Sequence, residues 1–432
     1  MLRFLRDPYF AGVTAAFLLF AAGWGLLLPS FESVDEQNHY RYMVFLKDHG
    51  RLPVQLPSPA ESTGEGHQPP FYYALGALAL RILEPSAGLV EPPRRPTLFN
   101  HQPVYFEHTD GEGLMRFPGQ AWPVHGLRLL QLFALLLPGL LCLGLVLARL
   151  LDPVAARLAF AVTALNPAFL ALAGALNNDH GAWVFGTAAL ACLLLPAPER
   201  PIPLPAWLGF GALAAAAALS KPTALGLLPA ALVLVLRKPG EARRRGPWLA
   251  CAMVAAALAP WFLRNLRLYG DPTAWNALVQ DCPQCVHPKP LLLWRWWWFW
   301  IERTFETYWS VFGWMTWRAA PAVTLAFAGA CGLALLGLAK AGTGSLGRPR
   351  SAAALAAVAG VCAVVLRHDL FLDPPAGRYF YAAALPIALF LGQGWGAFRP
   401  PAWAPWAAAA ALAALNLWLL FGRMVPMYYP SA

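Results

Sequence analysis

The sequence predicts an all-α integral membrane protein with about eleven transmembrane helices and a long first outer loop that contains interfacial helices. Two features of the composition indicate this class. Of the 432 residues, 58% are hydrophobic and 12% are charged, whereas soluble domains carry roughly 25% charged residues. The third observation is a series of apolar runs whose lengths are close to the ~20 residues that a membrane-spanning helix needs.

These apolar runs follow one another along the whole chain, and two of them are short. They cover about residues 9–28, 127–148, 154–174, 181–196, 205–219, 223–236, 247–263, 319–339, 352–366, 379–397 and 403–421. We expect the first run to be retained as an anchor, because its end (GLLLP, residues 25–29) lacks the small-residue pattern at which signal peptides are cleaved.

The distribution of basic residues predicts a cytoplasmic N-terminus. With this orientation the cytoplasmic segments carry 14 basic and 4 acidic residues, and the difference equals the whole net charge of +10. Acidic and basic residues then balance on the outer side. The net charge therefore reflects membrane topology and gives no reason to expect a nucleic-acid partner, while the lipid bilayer is an expected partner.

Two predicted outer regions are long enough to hold a functional site, residues 29–126 and 264–318. The first contains an aromatic, periodic segment at residues 71–80 that is predicted to form an interfacial helix. The second is rich in tryptophan, which prefers the headgroup level of a membrane. We expect one membrane domain over residues 1–397 that includes both regions, then a terminal span and tail over 398–432, and no separate soluble domain.

The strongest functional signal is a pair of adjacent carboxylates, Asp35 and Glu36, that follows the first predicted span. Ionisable groups beside a membrane are costly and usually mark a substrate or ion site. A carboxylate in this position could act as a general base on a substrate that itself lies in the membrane. The alternative interpretation is that the pair only solvates a loop.

Five further polar groups fall on the same predicted side of the membrane as Asp35. Each alone could be a loop end or a snorkelling side chain, but together they predict one polar cavity at the outer boundary. Lysine and arginine in such a cavity suit an anionic headgroup, because they are the usual phosphate partners. The groups are His67-Gln68-Pro69-Pro70, Asn177-Asn178-Asp179-His180, Lys221-Pro222-Thr223, Arg264-Asn265 and Gly377-Arg378-Tyr379.

The cysteines fall into two sets. Cys282 and Cys285 form a CxxC sequence on the predicted outer side, where a disulfide is the expected state. A redox or zinc role is the alternative, although one isolated CxxC is a weak metal signal. The other five lie in predicted spans, where we expect them to pack as small apolar side chains.

Taken in order, these features resemble the C-type (GT-C) membrane glycosyltransferases, a family that includes the protein O-mannosyltransferases and the aminoarabinose transferases of lipid A. The order is a first span, Asp-Glu, a Pro-Pro-aromatic helix, an Asn-Asp loop, a Lys-x-Thr turn, an Arg-Asn and a Gly-Arg-Tyr. The resemblance extends to about residue 397. It implies a GT-C-like fold and a polyprenyl-phosphate sugar donor. Transfer would occur on the extracytoplasmic face, with inversion, to a glycolipid or glycan acceptor.

The resemblance also implies roles for individual residues. Asp35 matches the catalytic carboxylate of the family, and Glu36 matches its neighbour, commonly a structural or metal-shell residue. Lys221 and Arg378 match positions expected to meet the lipid phosphate. We add Arg264 to this phosphate-binding set from its position on the same side. The remaining candidates are assigned to the substrate loops: His67, Gln68, Asn178, Asp179 and His180.

His67 departs from the family pattern, because many relatives have lysine before Pro-Pro. No cofactor is certain from the sequence, but a divalent metal could sit among Asp35, Glu36 and Asp179, with His180 nearby; these residue types do not fix its identity. We expect a bacterial inner membrane location. Two other functions stay open at this stage: a transporter or flippase of lipid-linked sugars, and a non-catalytic assembly protein of envelope polysaccharide.

Overall fold

The structure, a computed structural model, describes residues 6–55, 63–83, 104, 106, 112–119, 121–197, 199–281, 283–341, 347–372 and 374–430. The described chain is mostly helical, with one short hairpin. Its first half begins with the predicted first span and continues into the helices of the first outer loop. The helices of this half are α1 (Pro8–Leu27), α2 (Glu36–His49), α3 (Phe71–Leu83), α4 (Ala121–Gln131), α5 (Leu137–Leu150), α6 (Pro153–Ala164), α7 (Pro167–Ala173), α8 (Asp179–Leu194), α9 (Leu204–Ser220) and α10 (Leu228–Arg237).

The second half has the same character. The hairpin pairs β1 (Val311–Phe312) with β2 (Trp317–Arg318) in antiparallel register, Val311 opposite Arg318. A 3₁₀ segment at Pro222–Leu227 precedes α10, and another at Gly377–Ala383 precedes α16. The helices are α11 (Arg245–Tyr269), α12 (Trp275–Asp281), α13 (Trp294–Trp309), α14 (Pro321–Ala341), α15 (Arg348–Asp369), α16 (Ala384–Gly396), α17 (Ala404–Leu419) and α18 (Val425–Tyr428).

Local sequence explains where several helices begin. Asp7 Oδ1 accepts a hydrogen bond from the backbone N–H of Tyr9 at 2.9 Å and caps α1. Asn166 caps α7 in the same way, accepting from Ala168 N at 3.0 Å. Proline at the first position of α7, Pro167, cannot continue the hydrogen-bond ladder of α6. The pair α6 and α7 is therefore bent by 55° within one apolar stretch.

Six helices of the described chain are long and apolar enough to cross a membrane, or seven if α6 and α7 are one broken span. The protein is thus an integral membrane protein. The predicted number of eleven is not confirmed, because other apolar runs form shorter helices interrupted by 3₁₀ turns. Two of the six combine neighbouring helices, α4 with α5 and α17 with α18. The six are Pro8–Leu27, Ala121–Leu150, Arg245–Tyr269, Pro321–Ala341, Pro349–Asp369 and Ala404–Tyr428.

The predicted first outer region, residues 29–126, contributes most of an aromatic cluster that is distinct from the main apolar core. The predicted interfacial helix is helical in the structure, as α3, and it packs against α2. The Tyr42 and Tyr73 rings stack with centroids 3.9 Å apart and 12° between their planes. Phe31 and Phe106 complete this cluster from the surrounding loops. The region is therefore a packed platform, which can hold side chains in fixed positions.

The cysteine predictions have different outcomes. Cys285 is disulfide-bonded, and Cys282 lies outside the described residues, so the pairing of these two cysteines stays a prediction. The remaining cysteines are free thiols, and all but Cys251 are at least partly buried. This agrees with packing as small apolar side chains for Cys142, Cys192, Cys331 and Cys362.

Close helix packing depends on glycine at two crossings. A Cβ atom on Gly337 of α14 would collide with the backbone carbonyl of Gly394 on α16. The same holds between Gly360 of α15 and the carbonyl of Gly226. Small residues allow such backbone approach and are the usual contact residues between membrane helices.

We expect Gly337→Ala to lower the free energy of unfolding by about 1–3 kcal/mol, the usual cost of inserting an extra methyl group into a packed contact. The measurement is thermal unfolding of the purified protein in detergent. Gly329→Ala, on the same helix, is the matched control because a Cβ there meets nothing within 4 Å. Equal melting temperatures for the two variants would contradict this account of the crossing.

Candidate active site

Asp35 stands between α1 and α2, immediately before the first residue of α2. Its φ is 61°, in the left-handed region that few residues other than glycine adopt readily. Asparagine and aspartate are the side chains that tolerate this region best. Its carboxylate makes no capping hydrogen bond to the helix, so it is available for contacts across the loop.

Asp35 meets Arg378, which lies 343 positions further along the chain. Arg378 Nη2 donates a hydrogen bond to Asp35 Oδ2. A second ion pair lies beside the first, with Lys221 Nζ 2.6 Å from Asp179 Oδ1. Arg378 Nε is 3.9 Å from Asp179 Oδ2. The structure therefore brings four of the predicted site residues into one cluster of alternating charge.

These four side chains differ in their access to solvent. Asp35 keeps 28% of its side-chain surface exposed, whereas Arg378 keeps 10% and Asp179 only 3%. Lys221 is also buried and lies 4.6 Å from the centroid of the Tyr379 ring. Asp35 is thus the carboxylate of this cluster that an incoming molecule can reach.

Burial and neighbouring charges set the protonation of the cluster. Burial raises the pKa of Asp35, but the charge and the hydrogen bond of Arg378, together with the charge of Lys221, outweigh it and hold the pKa below its ordinary value. Burial lowers the pKa of Lys221, an effect that Asp179 opposes. Burial next to Asp35 raises the pKa of Glu65 to about 8. Asp35 is therefore ionised at neutral pH while Glu65 is largely protonated.

Several buried polar atoms at the site lack a hydrogen-bond partner among the described residues. They include Nε and Nη1 of Arg378, Nε2 of His39 and Oδ1 of Asn178. Buried polar atoms are normally satisfied, and each exception calls for an explanation such as a missing ligand. An apolar cleft adjoins the Arg378 guanidinium and is walled by Trp24, Leu28, Ala168, Leu172, Phe312 and Tyr381.

The predicted loop residues form a hydrogen-bonded layer next to the charged cluster. Asn178 Nδ2 donates to the Tyr73 hydroxyl at 3.1 Å and lies 3.4 Å from Gln68 Oε1. Gln68 Nε2 is 3.0 Å from His67 Nε2. Burial lowers the pKa of His67 to about 4, so this imidazole is neutral and carries no charge for a phosphate.

His180 and Arg264 lie in other surroundings. His180 Nδ1 is 3.2 Å from Gln131 Oε1, in a network that also includes the Tyr72 hydroxyl. Arg264 Nη2 donates to the carbonyl of Pro53 at 2.6 Å, and its guanidinium stacks over the ring of Trp261. Their predicted roles at the substrate stay predictions.

Glu36 is adjacent to Asp35 in sequence but points into a different environment. Its carboxylate is fully buried and accepts from Arg128 Nε at 2.7 Å and Arg128 Nη2 at 2.5 Å. It also accepts from the backbone N–H of Leu176 at 2.8 Å and of Phe31 at 3.0 Å. Arg128 in turn donates to backbone carbonyls at the end of α1, including Leu28 O at 2.6 Å.

The residues that could hold a divalent cation differ from the predicted set. Among the described residues, the possible ligand atoms of Asp35, His39 and Glu65 all lie within 4.8 Å of one another. Two carboxylates and an imidazole suit Mn²⁺ or Zn²⁺. In the predicted set, Glu36 is bound by Arg128 and Asp179 by Lys221. Neither His39 nor Glu65 was predicted, although His39 lies one helical turn after Asp35 and so shares its face.

Part of the chain is similar in sequence to a known family of mannosyltransferases. A sequence profile of the dolichyl-phosphate-mannose-protein mannosyltransferase family matches residues 124–263. No curated protein sequence matches the chain. The resemblance inferred from the sequence is confirmed at the level of the fold by solved structures.

Two proteins of known structure are similar to this chain. ArnT from Cupriavidus metallidurans, bound to undecaprenyl phosphate, has a TM-score of 0.55 and 12% identity; the match covers 96% of this chain and 73% of ArnT. In the apo state the TM-score is 0.52 with 14% identity, covering 95% and 64%. The oligosaccharyltransferase AglB from Archaeoglobus fulgidus, in complex with an inhibitory peptide and dolichol-phosphate, has a TM-score of 0.51 and 13% identity, covering 98% and 55%.

We expect Arg128→Met to lower the free energy of unfolding by about 3–5 kcal/mol, because it leaves the Glu36 carboxylate buried and unpaired. Chemical denaturation in detergent measures the change. Adding Glu36→Gln to Arg128→Met should recover part of the loss. The control is Arg157→Met, whose partly exposed pair with Asp7 should be worth about 0–1 kcal/mol. A loss no larger than that of the control would contradict the proposed importance of the pair.

Proposed function

We propose that the protein transfers a sugar from a polyprenyl-phosphate donor to an acceptor hydroxyl, with Asp35 as the general base. The observation that carries this proposal is the pairing of the reachable carboxylate of Asp35 with Arg378, whose buried Nε and Nη1 atoms have no hydrogen-bond partner among the described residues. A base and an anion-binding group thus lie side by side. Sugar transfer from a lipid phosphate requires both.

The donor needs stabilisation of negative charge more than it needs a proton. A polyprenyl phosphate is an activated leaving group, and charge develops on its phosphate as the glycosidic bond breaks. Preorganised cations in a buried site stabilise such charge far more than they would in water. Arg378 and Lys221 are the cations of the cluster, and the planar guanidinium of arginine matches phosphate geometry.

The acceptor hydroxyl is a weak nucleophile and needs a base. In the proposed reaction Asp35 takes the hydroxyl proton while the acceptor oxygen forms a bond to the anomeric carbon. The bond from that carbon to the phosphate oxygen breaks, and the phosphate leaves with the electron pair. One displacement of this kind inverts the configuration at the anomeric carbon.

The surroundings of Arg378 suit the lipid part of such a donor. The adjoining cleft is small and is walled by apolar side chains such as Trp24 and Phe312, which suit contact with the first isoprene unit of a lipid whose phosphate meets the guanidinium. ArnT was solved with undecaprenyl phosphate and AglB with dolichol-phosphate. These ligands support a lipid-linked donor for the present chain.

The charge distribution supports the location of the reaction. With the N-terminus in the cytoplasm, the first outer loop places Asp35 on the extracytoplasmic face of a bacterial inner membrane. The second outer region, residues 264–318, contains α12, α13 and the hairpin, with little bulk for holding a folded protein acceptor. A glycolipid or glycan acceptor is therefore favoured.

Asp35→Asn should reduce turnover by at least ~100-fold, the usual scale for loss of a general base. The assay follows transfer from a panel of undecaprenyl-phosphate sugars by the purified protein in lipid. Asp48→Asn is the matched control, since Asp48 lies on α2 and pairs with Lys47 at 3.2 Å, and it should leave turnover unchanged. Full activity of Asp35→Asn would show that another group is the base.

Arg378→Ala should weaken donor binding and turnover together. A hydrogen bond to a charged group is worth about 1.5–3 kcal/mol, so we expect a loss of roughly 10- to 100-fold in affinity. Arg318→Ala is the control, because Arg318 is more than half exposed and pairs with Glu306. Turnover lost without any change in donor affinity would remove Arg378 from the phosphate site.

A further inference from the structure

The hydrogen bond between Arg378 and Asp35 uses the one guanidinium nitrogen that a bidentate phosphate most needs. A guanidinium presents two edges with parallel N–H groups, Nε with Nη2 and Nη1 with Nη2. Both edges include Nη2, which donates to Asp35 Oδ2. The other two nitrogens, Nε and Nη1, have no hydrogen-bond partner among the described residues and belong to different edges. Each Nη nitrogen carries two N–H groups, so the hydrogen bond to Asp35 occupies one of the two edges. A phosphate that binds this edge in a bidentate manner must displace the carboxylate.

The second cation of the cluster is engaged in the same way. Lys221 Nζ contacts Asp179 Oδ1 at 2.6 Å. The two cations are thus matched by two carboxylates, and the cluster has no excess positive charge to attract an anion. A phosphate that enters must compete with carboxylates for its partners.

We propose that the donor phosphate exchanges with Asp35 on Arg378, so that the base is released only when the donor is bound. This inference rests on the proposed function and adds how the base is kept inactive until the donor binds. In the free protein Arg378 holds the Asp35 carboxylate. In the loaded protein the phosphate takes Nη2 together with a neighbouring nitrogen, and Asp35 turns to the acceptor hydroxyl.

The exposure of the two partners supports exchange in this direction. Arg378 is fixed in a buried position, where it also stacks over the Tyr379 ring with its central carbon 5.2 Å from the ring centroid. Asp35 is 28% exposed and has no capping hydrogen bond. The released carboxylate therefore moves toward water or an acceptor rather than into a dry interior, which lowers the cost of separating the pair.

If this exchange occurs, Asp35→Asn should strengthen binding of the lipid phosphate even though it reduces turnover. Asp35→Asn should bind undecaprenyl phosphate about 10-fold more tightly than wild type, because binding no longer requires the ion pair between Arg378 and the Asp35 carboxylate to break. The ligand carries no sugar, so its affinity is measured without turnover, by titration into protein in lipid nanodiscs. Asp35→Ala serves as a second variant and should show the same gain.

The role of Arg378 is tested by introducing Asp35→Asn into a protein that already carries Arg378→Gln. If the gain comes from releasing Arg378, Asp35→Asn should produce no gain when Arg378→Gln is already present. A gain that persists there would instead reflect loss of general charge repulsion and would overturn the exchange. Asp48→Asn is the matched control, because it also removes a carboxylate, one that lies on α2 and pairs with Lys47 instead of Arg378; it should bind as wild type does.

The outcomes separate this inference from the proposed function. Unchanged or weaker binding by Asp35→Asn, with sugar transfer by wild type intact, would overturn exchange and leave the transferase. Absence of undecaprenyl phosphate binding by folded wild type and folded Asp35→Asn would overturn both. Tighter binding that depends on Arg378, together with lost turnover, is the expected result.

Discussion

The buried pair of Glu36 and Arg128 is the contact on which the arrangement of the site depends. Arg128 holds the carbonyls at the end of α1 and the carboxylate at the start of α2. Through Glu36 the same pair reaches the backbone of Leu176, next to the loop that carries Asp179. One pair of charges therefore fixes the relation between the first outer loop and the loop before α8. A buried ion pair adds little net stability compared with apolar packing, but it specifies geometry strongly when every partner is satisfied.

The cluster of Asp35, Arg378, Asp179 and Lys221 is a second set of charges, and some of its polar atoms have no hydrogen-bond partner among the described residues. The contrast between the two sets is physical. Glu36 and Arg128 have side chains with no exposed surface and many partners, whereas two nitrogens of Arg378 have no hydrogen-bond partner in the part of the chain that the structure describes. The first arrangement suits rigidity, and the second suits exchange of partners. The proposed reaction would need both, because a loose site cannot align the reacting atoms and a satisfied site cannot bind an ion.

Much of this organisation could be predicted from the sequence, and the rest depends on three-dimensional direction. Composition and apolar runs predict a membrane protein, and the separate polar groups containing Asp35, Asp179, Lys221 and Arg378 meet in the structure. The sequence does not show that Glu36 and Asp35 have different roles, because both are carboxylates. Neighbouring residues at the start of a helix point in different directions, and only the structure shows which one faces the site. Arg128 looks like an ordinary arginine at the edge of a span, and its partners Glu36 and the carbonyls of Leu28 and Pro29 lie about 90 to 100 positions away in the sequence. The number of spans was also beyond the sequence, because apolar composition does not show where a helix bends, as between α6 and α7.

The left-handed backbone of Asp35 has a consequence for which substitutions the loop tolerates. Asparagine accepts that conformation as readily as aspartate, so replacing the side chain there does not strain the loop. A single nucleotide change converts one residue into the other. Under the proposed function, this one change would remove the base and leave the backbone of the loop and the cations of the cluster in place.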